Sequence, residues 1–187
     1  MLCIQARKVP VMAREQRGFT LIELMVTIAV LAILVSIAGP SFTSMINNNR
    51  SAAVGEELAG AFNYARSEAV KRGDRVSICA SSDGATCSAA GTWSQGWIVF
   101  TDSAATDIAT TPVVNAVLRR WEAPGGDAAI AVTQTAATNF VRYTRLGTLG
   151  RANQVTVTSS VSGCTGNAAR TITIGPAGLI NVARSAC

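Results

Sequence analysis

The first long feature of the chain is a continuous run of apolar residues near its N-terminus. Residues 19–38 read FTLIELMVTIAVLAILVSIA and contain one charged side chain, Glu23. At about 1.5 Å per residue, a helix of roughly 20 apolar residues spans the hydrocarbon core of a bilayer. The core helix of a soluble domain would keep a polar face, and this segment has none. The pattern therefore predicts a membrane-spanning helix over residues 19–38.

Beyond residue 39 the pattern becomes that of an amphipathic helix. Apolar residues recur there at intervals of three to four, at Val54, Leu58, Phe62, Ala65 and Ala69. One further apolar residue, Ile46, lies ahead of them. Most charged residues fall on the other side of the helix, and Gly73 is a natural stop. We expect residues 39–73 to continue the first helix, giving about 50 helical residues whose second half must be covered by a sheet.

Shorter runs rich in β-branched and aromatic residues follow, and clusters of Gly, Ser, Thr, Asn and Asp separate them. They predict strands at Val76–Ala80, Trp97–Thr101, Val113–Trp121, Ala128–Thr135, Phe140–Thr144, Gln154–Ser159, Arg170–Ile174 and Leu179–Arg184. Strands do not alternate with helices, as they would in a parallel sheet. We therefore predict an α+β fold in which the long N-terminal helix packs on one or two antiparallel sheets formed by residues 74–187.

The residues before the apolar run carry four basic side chains and one acidic side chain. Positive charge in front of the first span keeps that end in the cytoplasm, so the later residues lie across the membrane. A secretory signal peptide would be cut after its apolar run, at a site of small residues. No such site follows this run closely.

The unusual feature stands at the front of the run, where residues 17–24 read RGFTLIEL. This string resembles the processing site of type IV prepilins and type II secretion pseudopilins. The resemblance implies that residues 1–18 are a leader peptide, that a prepilin peptidase cuts after Gly18, and that Phe19 is N-methylated. It also implies a single-pass subunit of the bacterial inner membrane, with a cytoplasmic N-terminus and a periplasmic C-terminal domain. The helix would later pack in the core of a pilus or pseudopilus.

The carboxylate of Glu23 costs several kcal/mol in hydrocarbon unless it is paired. It either reaches towards the membrane interface without a partner or pairs with the new amine of Phe19 on a neighbouring subunit. The two residues are about one helical turn apart, ~6 Å, so a subunit displaced axially by that distance would align the charges. The resemblance to pilins implies this second role, in assembly.

Two further strings sharpen the resemblance. Residues 64–73 read YARSEAVKRG, and residues 93–102 have the pattern W-x-x-G-W-I-V-F-x-D. Both resemble the GspH/FimT family, which contains minor pilins of type IV pili and minor pseudopilins of type II secretion. The resemblance implies a pilin fold, a place at or near the filament tip, and other minor and major pilins or pseudopilins as partners.

The composition argues against an enzyme. The chain has no histidine, which excludes a Ser-His-Asp triad, a Cys-His pair and histidine-ligated zinc. The sequence indicates neither a cofactor nor a catalytic residue. We expect a structural subunit.

Loss of the leader would remove Cys3 and leave four cysteines on the oxidising side of the membrane. Four cysteines allow three pairings, and we favour the local ones, Cys79–Cys87 and Cys164–Cys187. Free thiols or a metal site are the alternatives. The C-x7-C spacing of Cys79 and Cys87 lacks the short C-x2-C spacing typical of zinc sites, so we expect no metal.

Basic residues concentrate at the end of the chain. Residues 119–187 contain seven arginines and two acidic residues, whereas residues 39–118 contain five basic and seven acidic residues. Some FimT-type pilins bind DNA during natural transformation, and arginine suits phosphate contacts. The resemblance therefore makes five arginines candidates for DNA binding: Arg142, Arg145, Arg151, Arg170 and Arg184. Residues 178–184 read GLINVAR and lack the Gly-Arg-x-Arg motif of that subfamily, and scattered, solvated arginines are the alternative.

The leader prediction is tested by the mass of the mature protein. We expect the wild-type chain to begin at methylated Phe19, and Gly18→Val to keep its leader because a β-branched side chain crowds the scissile position. A wild-type chain that still begins at Met1 in cells with an active prepilin peptidase would contradict the prediction.

Overall fold

The computed structural model describes residues 18–125, 127–134, 139–151 and 153–187, without the side chains of residues 37–40. The predicted leader lies almost wholly outside these ranges. The described elements are a long helix α1 (Leu21–Arg72), a single 3-10 turn (Trp93–Gln95) and eight strands. The strands are β1 (Val76–Ala80), β2 (Trp97–Asp102), β3 (Val114–Trp121), β4 (Ala128–Gln134), β5 (Phe140–Tyr143), β6 (Val155–Val161), β7 (Ala169–Ile174) and β8 (Ile180–Ser185).

These elements confirm the predicted α+β class. Each predicted strand is present, and its bounds differ by at most one or two residues from those observed. The predicted end of one strand, Thr135, lies outside the described residues. The helix confirms the change from a fully apolar to an amphipathic pattern within one continuous element.

The chain divides into two compact units, Met1–Pro40 and Ser41–Cys187. The described part of the first unit is mainly the apolar beginning of α1. An 18-residue window of this helix has a mean hydropathy of 2.7, and none of it is buried. By length and composition, α1 could therefore cross a membrane.

The C-terminus of α1 has the geometry of a Schellman motif. The N–H of Gly73 donates to the carbonyl of Val70, and the N–H of Asp74 donates to the carbonyl of Ala69, both at 3.3 Å. Gly73 has a φ of 63°, which a side chain would strain. The helix therefore stops where the sequence predicts, and the chain turns directly into β1.

The second unit contains two antiparallel four-stranded sheets. The first has the strand order β3-β2-β1-β5, and the second has the order β4-β6-β7-β8. After β3 the chain crosses from the first sheet to the second, where β4 pairs with β6, and it then returns to the first sheet, where β5 pairs with β1. Buried residues of both sheets form one cluster with residues of α1.

The core lies between α1 and the two sheets. Leu58 and Phe62 are fully buried in one cluster with Trp97 of the first sheet and Ile172 of the second. Glu68 at the end of this face forms an ion pair with Arg72, at 2.6 Å. Ile46, the first residue of the predicted apolar stripe, is 50% exposed, so including it was wrong. The buried face instead begins at Ser51, one turn before Val54.

One glycine of α1 is explained by the packing of helix on sheet. A Cβ at Gly55 would collide with the side chain of Arg170 on β7 and lie 3.0 Å from the hydroxyl of Ser159 on β6. A Cβ at Gly60, five residues later, would meet nothing within 4 Å. A side chain at position 55 would therefore collide with the second sheet, whereas a Cβ at position 60 would extend into empty space.

This pair gives a test of the packing. Gly55→Leu should destabilise the chain by ~1–3 kcal/mol, because the added side chain has to displace Arg170 and separate α1 from the second sheet. Gly60→Ala should stabilise it by up to ~1 kcal/mol, since alanine favours the helix and the site is empty. Urea unfolding of the detergent-solubilised chain measures both changes. Equal effects at the two positions would contradict the described packing.

Candidate functional site

The residues of the predicted processing site lie immediately in front of α1. Gly18, Phe19 and Thr20 are outside the helix, and all three are exposed. Phe19 is 84% exposed, and a Cβ at Gly18 would meet nothing within 4 Å. The bond between Gly18 and Phe19 is therefore accessible in the single chain.

Thr20 caps the helix. Its hydroxyl oxygen accepts a 3.2 Å hydrogen bond from the backbone N–H of Glu23. A threonine followed three residues later by glutamate has the spacing of a capping box, and a carboxylate in the first turn favours the positive end of the helix dipole. This local role is one that the sequence analysis did not assign to Glu23.

The side chain of Glu23 remains exposed. Within the described ranges, none of the ion pairs includes this carboxylate. The first turn of α1 therefore presents a carboxylate outwards, four residues after Phe19.

Arg142 is not a DNA-binding candidate, and including it was wrong. Its side chain and that of Asp102 are fully buried, and Nε of Arg142 lies 2.7 Å from Oδ2 of Asp102. The guanidinium also donates to four backbone carbonyls in the loop between β2 and β3. These belong to Thr106, Asp107, Ala109 and Thr111, at 3.4, 3.2, 2.8 and 3.1 Å. Arg142 is thus an internal tie for this loop and is closed to a phosphate.

Asp102 is held as firmly as its partner. The hydroxyl of Ser77 donates to it at 2.6 Å, and the backbone N–H groups of Ala104 and Val113 donate at 3.0 and 2.9 Å. Burial alone would raise the pKa of this carboxyl, but the hydrogen bonds from Ser77, Val113, Arg142 and Ala104 together hold the pKa below its usual value. Asp102 is the last residue of the W-x-x-G-W-I-V-F-x-D string. A charge closing an apolar strand was the only signal of its role.

The other four candidate arginines are not gathered into one patch. Arg145 is exposed in the turn after β5, and Arg151 donates to the carbonyl of Ile108 at 3.1 Å. Arg170 and Arg184 are cross-strand neighbours on β7 and β8. Arg170 is mostly buried and lies 3.4 Å from the carboxylate of Glu56.

Arg170 and Arg184 line one open groove of about 340 Å³. The other lining residues are Asn48, Asn49 and Ala52 of α1 and Thr165, Asn167 and Ala168 before β7. None of the other three candidates lines it. The structure therefore gives two neighbouring arginines in a polar groove, and no continuous cationic track along the described surface.

The four cysteines after α1 form two disulfides. Cys79 is bonded to Cys87, and Cys164 is bonded to Cys187; these are the local pairings that the sequence analysis favours. The second disulfide closes a loop that is fastened to α1, because the side chain of Asn48 accepts a 2.8 Å hydrogen bond from the N–H of Thr165. The asparagines of α1 carried no signal of this contact in the sequence.

Two kinds of feature bear on possible chemistry, namely metal-ligand clusters and open hollows. Among the described residues, no group of three or more histidine, cysteine, aspartate or glutamate side chains is placed to hold a metal ion. An open hollow of about 480 Å³ on the second sheet is lined by alanine, serine, threonine and one isoleucine, and none of its lining residues titrates near neutral pH.

Comparisons with known families decide the identity. The family described as type II transport protein GspH matches residues 54–178, and the prokaryotic N-terminal methylation motif matches residues 13–39. The chain belongs to the GspH family. The methylation motif covers Gly18, Phe19 and Glu23. This GspH-family chain is therefore a minor pilin or pseudopilin, and its family implies contacts with other pilins and processing by a prepilin peptidase.

Solved structures agree with this assignment. A crystal structure of the Pseudomonas aeruginosa type IV minor pilin FimU is similar with a TM-score of 0.56 and 24% identity, over 72% of this chain and 89% of that chain. A second crystal form of FimU gives a TM-score of 0.51 and 25% identity, over 70% of this chain and 90% of that chain. A search of curated proteins finds no match. The fold of this GspH-family chain is thus the pilin fold.

The buried pair in this GspH-family chain gives a prediction for stability. Arg142→Met should cost ~3–5 kcal/mol of unfolding free energy, because it leaves Asp102 buried without its cation. Arg145→Met, at the neighbouring exposed arginine, should change stability by less than ~0.5 kcal/mol. Urea unfolding at pH 7 measures both, and similar costs would contradict the internal role of Arg142.

The same pair predicts a dependence on pH. Because the folded pKa of Asp102 is lowered, its stabilising contribution is complete above the unfolded pKa of ~3.9 and is lost as the pH falls through the folded pKa. Asp102→Asn should lose this part of the acid sensitivity.

Proposed function

We propose that this chain is a filament subunit that acts through assembly alone. A prepilin peptidase cuts after Gly18, and Phe19 is methylated at its new amine. Residues 19–38 hold the subunit in the inner membrane, with residues 39–187 in the periplasm. The subunit then enters a pilus or pseudopilus at or near its tip, where it serves type IV pilus assembly or type II protein secretion.

The observation that carries the proposal is the position of the methylation motif at the start of α1. The motif covers residues 13–39, and within it the cleavage position is exposed and outside the helix. Cleavage there leaves α1 with its N-cap, Thr20, and its complete apolar segment. The mature chain therefore keeps the helix as an anchor.

Glu23 supports assembly over a merely local role. A capping box accounts for the backbone N–H of Glu23, but its carboxylate has no cationic partner among the described residues. Cleavage creates an amine at Phe19, about one helical turn away. Phe19 and Glu23 lie at the same end of α1. Because the carboxylate of Glu23 is exposed, it can meet the amine of a neighbouring subunit that is displaced along the helix axis. The charge then costs least in the assembled filament.

The pairing also explains why a charge is kept inside an apolar helix. In hydrocarbon an attraction between opposite charges is strong, because little water screens it. A subunit in the wrong register leaves both charges unpaired in hydrocarbon, which is unfavourable because neither is solvated. The ion pair therefore stabilises one register of the packed helices over the others.

Substitutions of Glu23 test the proposed function. Glu23→Ala and Glu23→Gln should both insert into the membrane, because each removes an expensive charge, and both should be depleted from filaments because the neighbouring amine loses its counter-charge. Glu23→Asp should be intermediate, since the charge remains but its reach is one methylene shorter. Cell fractionation measures insertion, and copurification with sheared filaments measures assembly.

The series separates charge from shape. Glutamine nearly preserves the volume of glutamate and its capping geometry, so a defect in Glu23→Gln reports the charge. If both neutral variants enter filaments as the wild type does, the carboxylate has no role in assembly. If wild-type chain is absent from filaments and from a secretion pseudopilus, the proposed function is wrong.

A further inference from the structure

Thr20 separates the proposed scissile bond from the helix. Residues 18–20 lie outside any helix or strand, and α1 begins at Leu21. The apolar segment that follows is helical without a break. The residue at which α1 begins therefore decides whether the bond between Gly18 and Phe19 is part of a helix or outside it.

Two hydrogen bonds identify Thr20 as the N-cap residue of α1. Its carbonyl accepts a helical hydrogen bond from the N–H of Leu24 at 3.1 Å, and its hydroxyl oxygen accepts one from the N–H of Glu23 at 3.2 Å. An N-cap residue has non-helical backbone angles, although its carbonyl already belongs to the helix. The hydroxyl of Thr20 therefore favours a helix that starts at the next residue and leaves Phe19 outside.

The first N–H groups of α1 need partners, because those of any helix have none within it. Where a helix enters a membrane, little water is available to bond them. Without the hydroxyl of Thr20, the preceding carbonyls become the partners. The N–H of Glu23 reaches the carbonyl of Phe19 if the helix starts one residue earlier. The N–H of Ile22 reaches the carbonyl of Gly18 if it starts two residues earlier.

The carbonyl of Gly18 is the one at which hydrolysis takes place. Water adds its oxygen to the carbonyl carbon, the bond to the nitrogen of Phe19 breaks, and that nitrogen takes a proton from the water. The carbonyl oxygen carries the developing negative charge, which the enzyme has to stabilise. An oxygen that already accepts a hydrogen bond inside a helix becomes available only when the end of the helix opens. A helix that extends back to Gly18 is therefore a poorer substrate.

We propose that Thr20 is a positioning residue for removal of the leader. Its hydroxyl holds the start of α1 at Leu21 and so keeps the scissile carbonyl of Gly18 out of the helix. This inference rests on the proposed function, which assigns the cut to the bond after Gly18. The match of the methylation motif to residues 13–39 supports it independently, because Thr20 lies within that motif.

Cleavage of the full-length chain by purified prepilin peptidase tests the proposal. The chain is supplied in lipid vesicles below its KM, and mass spectrometry measures the initial rate of leader removal. Thr20→Val keeps the branched shape of threonine but lacks the hydroxyl. Since an N-cap side chain shifts the helix equilibrium by about five-fold, we expect Thr20→Val to be cleaved more slowly by about that factor. Thr20→Ser keeps the hydroxyl and should be cleaved at the wild-type rate.

A second threonine of α1 controls for the loss of a hydroxyl that caps nothing. The hydroxyl of Thr27 donates to the carbonyl of Leu24 at 2.8 Å, within the helix. Thr27→Val should therefore leave the rate of cleavage unchanged. A rate as low as that of Thr20→Val would show a general effect on the apolar helix and would overturn the positioning role.

Two further variants separate capping from direct recognition of the Thr20 hydroxyl by the peptidase. Thr20→Asn keeps a good cap without a hydroxyl and should be cleaved at the wild-type rate. Leu21→Pro stops the helix by a different route, because proline suits the first helical position and keeps the residue before it out of the helix. In the Leu21→Pro background, threonine and valine at position 20 should therefore be cleaved at the same rate.

The outcomes distinguish this inference from the proposed function. Equal rates for the wild type and Thr20→Val overturn the inference. Slow cleavage of Thr20→Asn, or a difference between threonine and valine that persists beside Leu21→Pro, overturns it in favour of direct recognition. In each of these cases the wild-type chain is still cut after Gly18, and the proposed function stands. A wild-type chain that the peptidase leaves intact or cuts elsewhere contradicts the proposed function itself.

Discussion

The packing of both sheets depends on how closely they approach one helix, α1. Where α1 meets the second sheet, Gly55 leaves room for the side chain of Arg170, and larger residues such as Leu58 and Phe62 fill the space towards both sheets. An alternation of small and large residues on one helix face lets two separate sheets share one core. The same helix begins as an apolar segment with no buried residue in its hydrophobic window. One element therefore carries both the anchor and the centre of the fold.

The buried pair of Asp102 and Arg142 secures what the helix does not reach. The loop between β2 and β3 has few apolar side chains that could pack and fix its position. Hydrogen bonds from Arg142 to the carbonyls of the loop hold it instead. A buried ion pair is weak evidence of net stability, since desolvation offsets much of the attraction. Its clearer effect is specificity: once Asp102 is buried, only the arrangement that brings Arg142 to it leaves no charge unpaired. The loop is consequently held in one conformation.

The sequence was informative wherever the signal is local. Periodicity located α1 and the eight strands, and the stop at Gly73 followed from the preference of a left-handed position for glycine. Arg142 was misjudged because β5 is buried on both faces, so alternation did not apply and an arginine in it read as exposed. Its partner, Asp102, lies forty residues away in the chain. Likewise the pairing of Arg170 with Arg184 depends on the register of β7 and β8, which a single sequence does not fix.

The disulfide between Cys164 and Cys187 has a mechanical consequence. Strand β8 pairs with β7 at the edge of its sheet, and an edge strand normally peels away one hydrogen bond at a time under tension. Here Cys187, after β8, is bonded to Cys164, before β7, and Asn48 ties the adjoining loop to α1. A pull along the helix therefore acts on a covalent ring that contains both β7 and β8. The hydrogen bonds between the two strands then bear the load together and do not break one after another.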